Sequence, residues 1–325
     1  MIVTESQIYQ VNPDLRVSRN SDRVVIEAAA NTYSLSDDAL WPFISEVMST
    51  NEELTAPNSS DDLTESDIDR LQSAFEILAE SEILVSSERT RWPDTIVSLA
   101  NRSGGLVTFE DIAERLKTAS VTIVDRSGSS VVEHLKSLLK LYPIAEPQVV
   151  AELPTDALAD LMLVVASDEH DPILDAANSM ALDSEIRVWA PVTPARGGRF
   201  RVGPWFYPNQ SACYKCLRLR AGSTIREPVL ADIERNGQSA PSRQDRFDSQ
   251  PAMTSMMVAI LADAMLTHLA LDGAQGQAPV GGFVDVTYGL EGFEMSNHRV
   301  LRVPRCPECS PTSGTGYPQI WYHEE

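Results

Sequence analysis

Cys213-Tyr214-Lys215-Cys216 and Cys306-Pro307-Glu308-Cys309 hold all four cysteines of this 325-residue chain. A C-x-x-C turn aims two thiolates at one ion about 2.3 Å from each sulfur, and two such turns complete a tetrahedral shell. Cys213, Cys216, Cys306 and Cys309 therefore predict a structural Zn2+ site. A four-sulfur shell leaves no open position for water or substrate, so the metal is not expected to be the catalyst. The pairs are 89 residues apart, too far for a compact zinc ribbon. The ion is then a staple between segments that the fold has already brought close. Redox dithiols or disulfides are the alternative chemistry for such pairs.

A second candidate is the junction 121–131, where a buried apolar run meets the start of a helix. A nucleotide-binding turn there needs glycines, so that backbone amides can approach phosphate at the helix N-terminus. This chain has Asp125, Ser127 and Ser130 instead, with Gly128 alone remaining. A carboxylate at Asp125 stands where a polyphosphate would sit. The reading is a fold of nucleotide-binding ancestry that has lost the nucleotide, and ATP is not expected to bind.

Composition narrows the function class. With 26 Lys+Arg against 47 Asp+Glu the net charge is −21, which repels nucleic acid and anionic membranes. A zinc-ribbon regulator of nucleic acid is therefore disfavoured. Residues 1–88 carry 4 Lys+Arg and 18 Asp+Glu, or −14 of that total. The start MIVTESQIYQ lacks the basic, apolar and cleavage regions of a signal peptide. No uninterrupted apolar run approaches the roughly 20 residues that span a bilayer, so a soluble, cytoplasmic protein is expected.

Two blocks position these residues. In 1–88, runs at 15–18 and 23–28 flank the polar Asn20-Ser21-Asp22 as a hairpin, and 32–35 is a third strand. Ser36 caps a helix with acids and Pro42 in its first turns, and Ile68, Leu71, Phe75, Leu78 and Ile83 mark another helical stripe. Three strands with helices predict a small winged-helix module. Residues 89–105 are the linker, and 106–325 reads as α/β. Strands are expected at 121–124, 161–166 and 186–190, with helices at 129–141 and 173–180 between them. This alternation predicts a mostly parallel, Rossmann-type doubly wound sheet. A long apolar helix at 253–271 suits a core or a dimer interface, and strands at 282–288 and 299–303 lead into the second cysteine pair.

The order of strand, degenerate loop and helix, then Gly203-Pro-Trp-Phe-Tyr-Pro-Asn-Gln-Ser-Ala-Cys213-Tyr-Lys-Cys216-Leu217 and His298-Arg-Val-Leu-Arg-Val-Pro-Arg-Cys306-Pro-Glu-Cys309, carries a family resemblance. It resembles the ThiF-like, ubiquitin-activating-enzyme-like partner proteins of azoline-forming cyclodehydratases. These act on ribosomally synthesised, post-translationally modified peptides (RiPPs) of the thiazole/oxazole class. Residues 1–88 in turn look like the RiPP recognition element that captures leader peptides. The resemblance implies a non-catalytic subunit of an ATP-dependent peptide cyclodehydratase. It would bind a precursor leader peptide and present the core to a separate YcaO-family cyclodehydratase, with homodimerisation expected. The chain continues only sixteen residues past Cys309, hence a partner in trans. Adenylating relatives carry the glycine loop and often a catalytic cysteine. Asp168 lies near an acidic magnesium ligand of such relatives and is read as a solvated loop acid. An ATP-dependent adenylating enzyme is the alternative.

Leader capture would follow edge-strand physics. An extended peptide adds beside the third strand while its apolar side chains enter a groove against the last helix. Thr32, Tyr33, Leu35, Leu71, Gln72 and Phe75 are the candidates, although Leu71 and Phe75 read equally as core.

Overall fold

In the computed structural model the described residues are the strands Ile8–Val11, Arg16–Arg19, Val24–Ala28, Asn31–Leu35, Leu54–Thr55 and Leu84–Ser86, and then 92–103, 106–126, 128–154, 159–238, 247–271 and 280–310. The chain divides into two compact units, Met1–Val97 and Ser98–Glu325.

In the first unit β1 (Ile8–Val11) pairs antiparallel with β5 (Leu54–Thr55) and β6 (Leu84–Ser86), strands that sequence patterning missed. These short runs become strands through pairing partners distant in sequence, which patterning cannot see. A second sheet is the meander β2 (Arg16–Arg19), β3 (Val24–Ala28) and β4 (Asn31–Leu35), close to the three expected strands. Its centre, Val24-Val25-Ile26, is β-branched and suits a pleated surface. Among the described residues β4 pairs with β3 alone and forms an edge. The helices expected around 37–44 and 68–83 lie outside the described residues, as do Leu71, Gln72 and Phe75.

The division between the units falls inside α1 (Asp94–Arg102), so part of the stretch read as linker is helical. In the second unit α2 (Phe109–Thr118) begins at Thr108, whose hydroxyl accepts from the Asp111 amide. The parallel sheet has the order β10-β9-β7-β8, from β7 (Val121–Val124), β8 (Gln148–Val150), β9 (Leu161–Val165) and β10 (Val188–Val192). Every residue of β7, β9 and β10 is buried, as expected of a sheet covered on both faces. Its crossovers are α3 (Ser130–Leu139) and α4 (Pro172–Leu182). β8 lies on one side of β7 while β9 and β10 lie on the other, so the winding reverses there as in doubly wound folds. On the α4 side, Met162 and Val164 pack with Ile173, Leu174, Ala177, Trp189 and Phe206.

A second, antiparallel sheet has the order β11-β12-β13, from β11 (Arg199–Val202), β12 (Gly282–Gly289) and β13 (Gly292–Arg299). The strand expected at 299–303 is corrected: β13 ends at Arg299 and 300–310 is irregular. The reason is chemical, since the carbonyls of Leu301 and Arg302 are taken by the Arg220 side chain rather than by a strand. At the junction of the sheets Trp189 and Phe206 exchange both backbone bonds, at 2.9 and 2.8 Å. Gly203 has φ +88, and an added Cβ there would sit 2.9 Å from the Gly282 carbonyl, so this close approach requires glycine.

Helices α5 (Tyr214–Thr224) and α6 (Pro228–Asn236) follow. The long α7 (Pro251–Leu271) is apolar on all sides and packs on α2 and α3. By length and composition it is one helix among the described residues able to cross a membrane, contrary to the expectation from uninterrupted runs. It lies mostly inside the protein, and its Asp263 accepts from Arg102 at 2.8 and 2.9 Å. A buried helix must be apolar all round, which accounts for its composition.

Candidate metal centre and the turn after β7

The fold brings the two C-x-x-C turns together. Cys213 is the N-cap of α5 and Cys216 lies in its first turn, while Cys306 and Cys309 lie in the irregular segment after β13. All four sulfurs lie within 4.8 Å of one another. Cys213 to Cys216 is 3.8 Å, Cys213 to Cys306 3.7 Å and Cys216 to Cys309 3.6 Å. A tetrahedral ion with metal–sulfur bonds of about 2.3 Å needs sulfur–sulfur edges of roughly 3.8 Å. A disulfide needs about 2.05 Å, and the four cysteines are free thiols. Donor type, number and spacing thus fit one tetrahedral metal ion. Cys213, Cys216 and Cys306 are buried among Ala212, Val300 and the edges of Leu217, Phe283 and Val303, a dry shell that suits thiolate ligands.

Hydrogen bonds within the cluster and burial shift its thiols in opposite directions. The hydrogen bond donated by Cys213 lowers Cys216 to about 4, against the opposing effect of burial, and the Val303 amide adds a bond at 3.3 Å. Cys213, as the donor, is pushed up, first by that bond and then by burial. Cys309 rises to about 12 through burial and then the charge on Cys216.

Arginines hold the two cysteine segments together apart from any metal. Arg302 donates to the Ser211 carbonyl at 3.2 and 2.9 Å and to the Asn209 carbonyl at 2.8 Å. Arg220 on α5 donates to the carbonyls of Leu301 and Arg302 at 2.5 and 3.0 Å. Irregular backbone leaves carbonyls without ladder partners, and guanidinium forks satisfy two at a time. On the far side, Lys215 donates to the Arg235 carbonyl and Arg218 to those of Glu234, Ile233 and Gly237, so cations from α5 cap the last turn of α6. Asn178 on α4 accepts from the Tyr214 amide at 2.8 Å and caps α5 in turn. Sequence reading missed these anchors. The available signal was the basic residues inside or near the cysteine pairs: Lys215, Arg218, Arg220 and Arg302.

Arg218 is 3% exposed and also donates to Asp175 at 3.3 Å. Arg218→Ala leaves three carbonyls and a carboxylate short of a donor, and is expected to cost about 3 kcal/mol. Chemical denaturation measures it, and Arg218→Lys should recover only part, because one ammonium cannot reach all four acceptors.

After β7 the chain turns through Asp125 to α3. The Asp125 carboxylate accepts from the Ser129 amide at 2.6 Å and from the Ser129 hydroxyl at 3.1 Å. Asp125 is buried, and Gly128 takes φ +63 in the turn. The protein's own carboxylate therefore occupies a helix N-terminal donor of the kind that binds phosphate in nucleotide folds. Ser127 lies outside the described residues. Asp168 corrects its reading as a solvated acid: it is 7% exposed, accepts from the His170 amide at 2.8 Å and pairs with Arg196 at 3.1 Å.

A cavity of about 420 Å³ opens beside the C-terminal ends of β9 and β10, against α5 and β12. Glu169, His170, Glu234, Arg201, Arg220 and Arg299 give it charge of both signs. Beneath it Asp285 accepts from Arg199 at 2.6 Å and Arg201 at 2.9 Å. Burial raises the Asp285 pKa, but the bonds and charges of the two arginines outweigh it and hold the group ionised, below its usual range.

The leader-binding candidates divide. Thr32, Tyr33 and Leu35 stand together on edge strand β4. Ala28 pairs with Asn31 across two residues, and the closing pair of such a hairpin is hydrogen-bonded. Asn31, Tyr33 and Leu35 thus turn their backbone groups to β3, while Thr32 and Ser34 turn theirs to the open edge. Tyr33 supplies no free amide, and Ser34, which sequence reasoning omitted, does.

Among solved structures, a heterocyclase in complex with substrate and cofactor matches with a TM-score of 0.60 at 18% identity, over 94% of this chain and 40% of that one. The heterocyclase TruD matches with 0.59 at 19%, over 94% and 43%. MccB of E. coli, solved with MccA, matches with 0.58 at 12%, over 93% and 99%. No protein-family model and no curated protein matches the chain. At these identities the likeness is one of fold. It runs along nearly the whole chain, which spans less than half the length of the two heterocyclases.

Proposed function

We propose that this protein is the peptide-binding subunit of a RiPP cyclodehydratase. It captures the leader of a ribosomal precursor peptide at the β4 edge and presents the core to a YcaO-family cyclodehydratase that forms thiazoline or oxazoline rings. The observation that carries this reading is Asp125: in a fold shared with heterocyclases, a buried carboxylate takes the helix N-terminal amide that a nucleotide phosphate would need. Zn2+ is the metal we assign to Cys213, Cys216, Cys306 and Cys309. When bound it supplies a cross-link and no chemistry, because four sulfurs close its shell. The ATP-consuming step belongs to the partner. The chain's own residues contribute edge-strand amides for the leader and, in the charged cavity at β9 and β10, a place for an extended segment of the peptide to pass.

A second reading is an ATP-dependent adenylating enzyme, favoured by the match to MccB over 99% of that chain, a protein also solved with ATP. One experiment separates the two. The protein alone is expected to give no ATP–pyrophosphate exchange and no ATP hydrolysis. Added to a YcaO-family cyclodehydratase with a Cys-bearing precursor, it is expected to raise ATP use together with loss of one water per ring, read by mass spectrometry. Pyrophosphate exchange by the protein alone would decide for adenylation.

A further inference from the structure

The cavity of about 420 Å³ beside β9 and β10 keeps its two signs of charge apart. Glu169 and His170 follow β9, and Glu234 on α6 comes within 3.2 Å of His170 Nε2, so the acids gather at one end. Arg220 on α5 donates to the Leu301 carbonyl, two residues from Arg299 at the end of β13. Arg201 lies over the ring of Phe283, which neighbours Arg299 across the β12–β13 ladder. The arginines thus gather at the other end.

Some of these charges are matched within the protein and some are not. Arg201 pairs with Asp285, and Arg218 with Asp175. Arg220 bonds only to neutral carbonyls. Among the described residues the Arg299 guanidinium and the Glu169 carboxylate, both exposed on the cavity, make neither a hydrogen bond nor an ion pair. Guanidinium recognises carboxylate through two parallel, charge-assisted bonds, and a carboxylate such as Glu169 calls for a cation or an N–H donor. A polyphosphate would set several negative charges against Glu169 and Glu234, which like-charge repulsion opposes. A ligand carrying both signs meets no such conflict. Leu174, Pro191, Leu217 and Val300 supply apolar lining for small side chains between its charges. The volume falls within the roughly 300–1,000 Å³ of small-molecule sites, room for a few residues rather than for a single ion.

We propose that this cavity binds a short dipolar peptide segment, its carboxylate against Arg299 and Arg220 and its basic group against Glu169 and Glu234. The proposal rests on the peptide-binding reading for the source of its ligand. Its site lies wholly in the second unit, on residues other than the β4 edge, and its test uses short peptides rather than a leader, so either reading fails without the other.

The test is calorimetric titration of the intact, metal-loaded protein. Acetyl-Lys-Ala-Ala with a free carboxyl terminus is expected to bind with a dissociation constant of about 1 mM or below. Its terminal amide, and acetyl-Ala-Ala-Ala as the acid, should each bind about tenfold more weakly. Acetyl-Lys-Ala-Glu amide distinguishes the two sources of a carboxylate: binding like the acid admits a side-chain carboxylate, and binding like the amide restricts the site to a chain terminus. Arg299→Gln is expected to abolish the preference for acid over amide and to keep the preference for Lys over Ala, and Glu169→Gln to do the reverse. Both positions are exposed and without side-chain bonds, so circular dichroism should not change. Absence of binding at about 10 mM, an acid preference that survives Arg299→Gln, a Lys preference that survives Glu169→Gln, or inorganic phosphate binding more tightly than every peptide would each overturn the proposal.

Discussion

Serine in place of Cys213 or Cys306 is expected to lower the melting temperature by roughly 10 °C or more and to release the metal. The size follows from comparing the clip with the margin it supports. Structural zinc binding is worth on the order of 10 kcal/mol, comparable with the whole stability of a domain. The arginine anchors from Arg220 and Arg302 keep the two segments near each other without metal, so part of that energy is not lost. A residual loss of about 4 kcal/mol corresponds to roughly 10 °C in a unit of this size. Elemental analysis of the wild type should give one zinc per chain, and a chelator should reproduce the melting shift of the serine variants. Protein without zinc and with its thiols paired as disulfides would sink the assignment.

The second large effect concerns the leader peptide. A labelled cognate leader is expected to bind the intact protein, and Ser34→Pro is expected to weaken it about tenfold or more, equivalent to about 1.4 kcal/mol. Proline there removes an amide that points to the open edge and places a ring in the path of the added strand. Tyr33→Pro makes the contrast, because its amide bonds to β3 and its loss should disturb the sheet itself, visible in circular dichroism. Fluorescence polarisation reads the binding. If Ser34→Pro is folded and binds as well as the wild type, the leader does not add at β4.

The clustering of the four cysteines was legible in the sequence because thiol pairing is local: two sulfurs three residues apart already define half of a tetrahedral site. The parallel strands were legible for a similar reason, since a run such as Leu161–Val165, buried on both faces, is apolar throughout. The absence of a G-x-G-x-x-G run at 121–131 could also be read, because a glycine either stands at a position or does not. What the sequence could not carry depends on partners distant along the chain. It could not show that Asp125 folds back onto the Ser129 amide, or that Asp168 is buried against Arg196 rather than solvated. Nor could it show that Arg302 reaches across more than ninety residues to Asn209 and Ser211. The same holds for direction: alternation marks Asn31–Leu35 as a strand, but only its pairing with β3 decides that Ser34, not Tyr33, turns its amide to the open edge. Likewise 299–303 is apolar enough for a strand, yet Arg220 takes its carbonyls and the ladder stops at Arg299. Local pattern sets what a segment is able to become, and tertiary hydrogen-bond partners decide which of those options is satisfied.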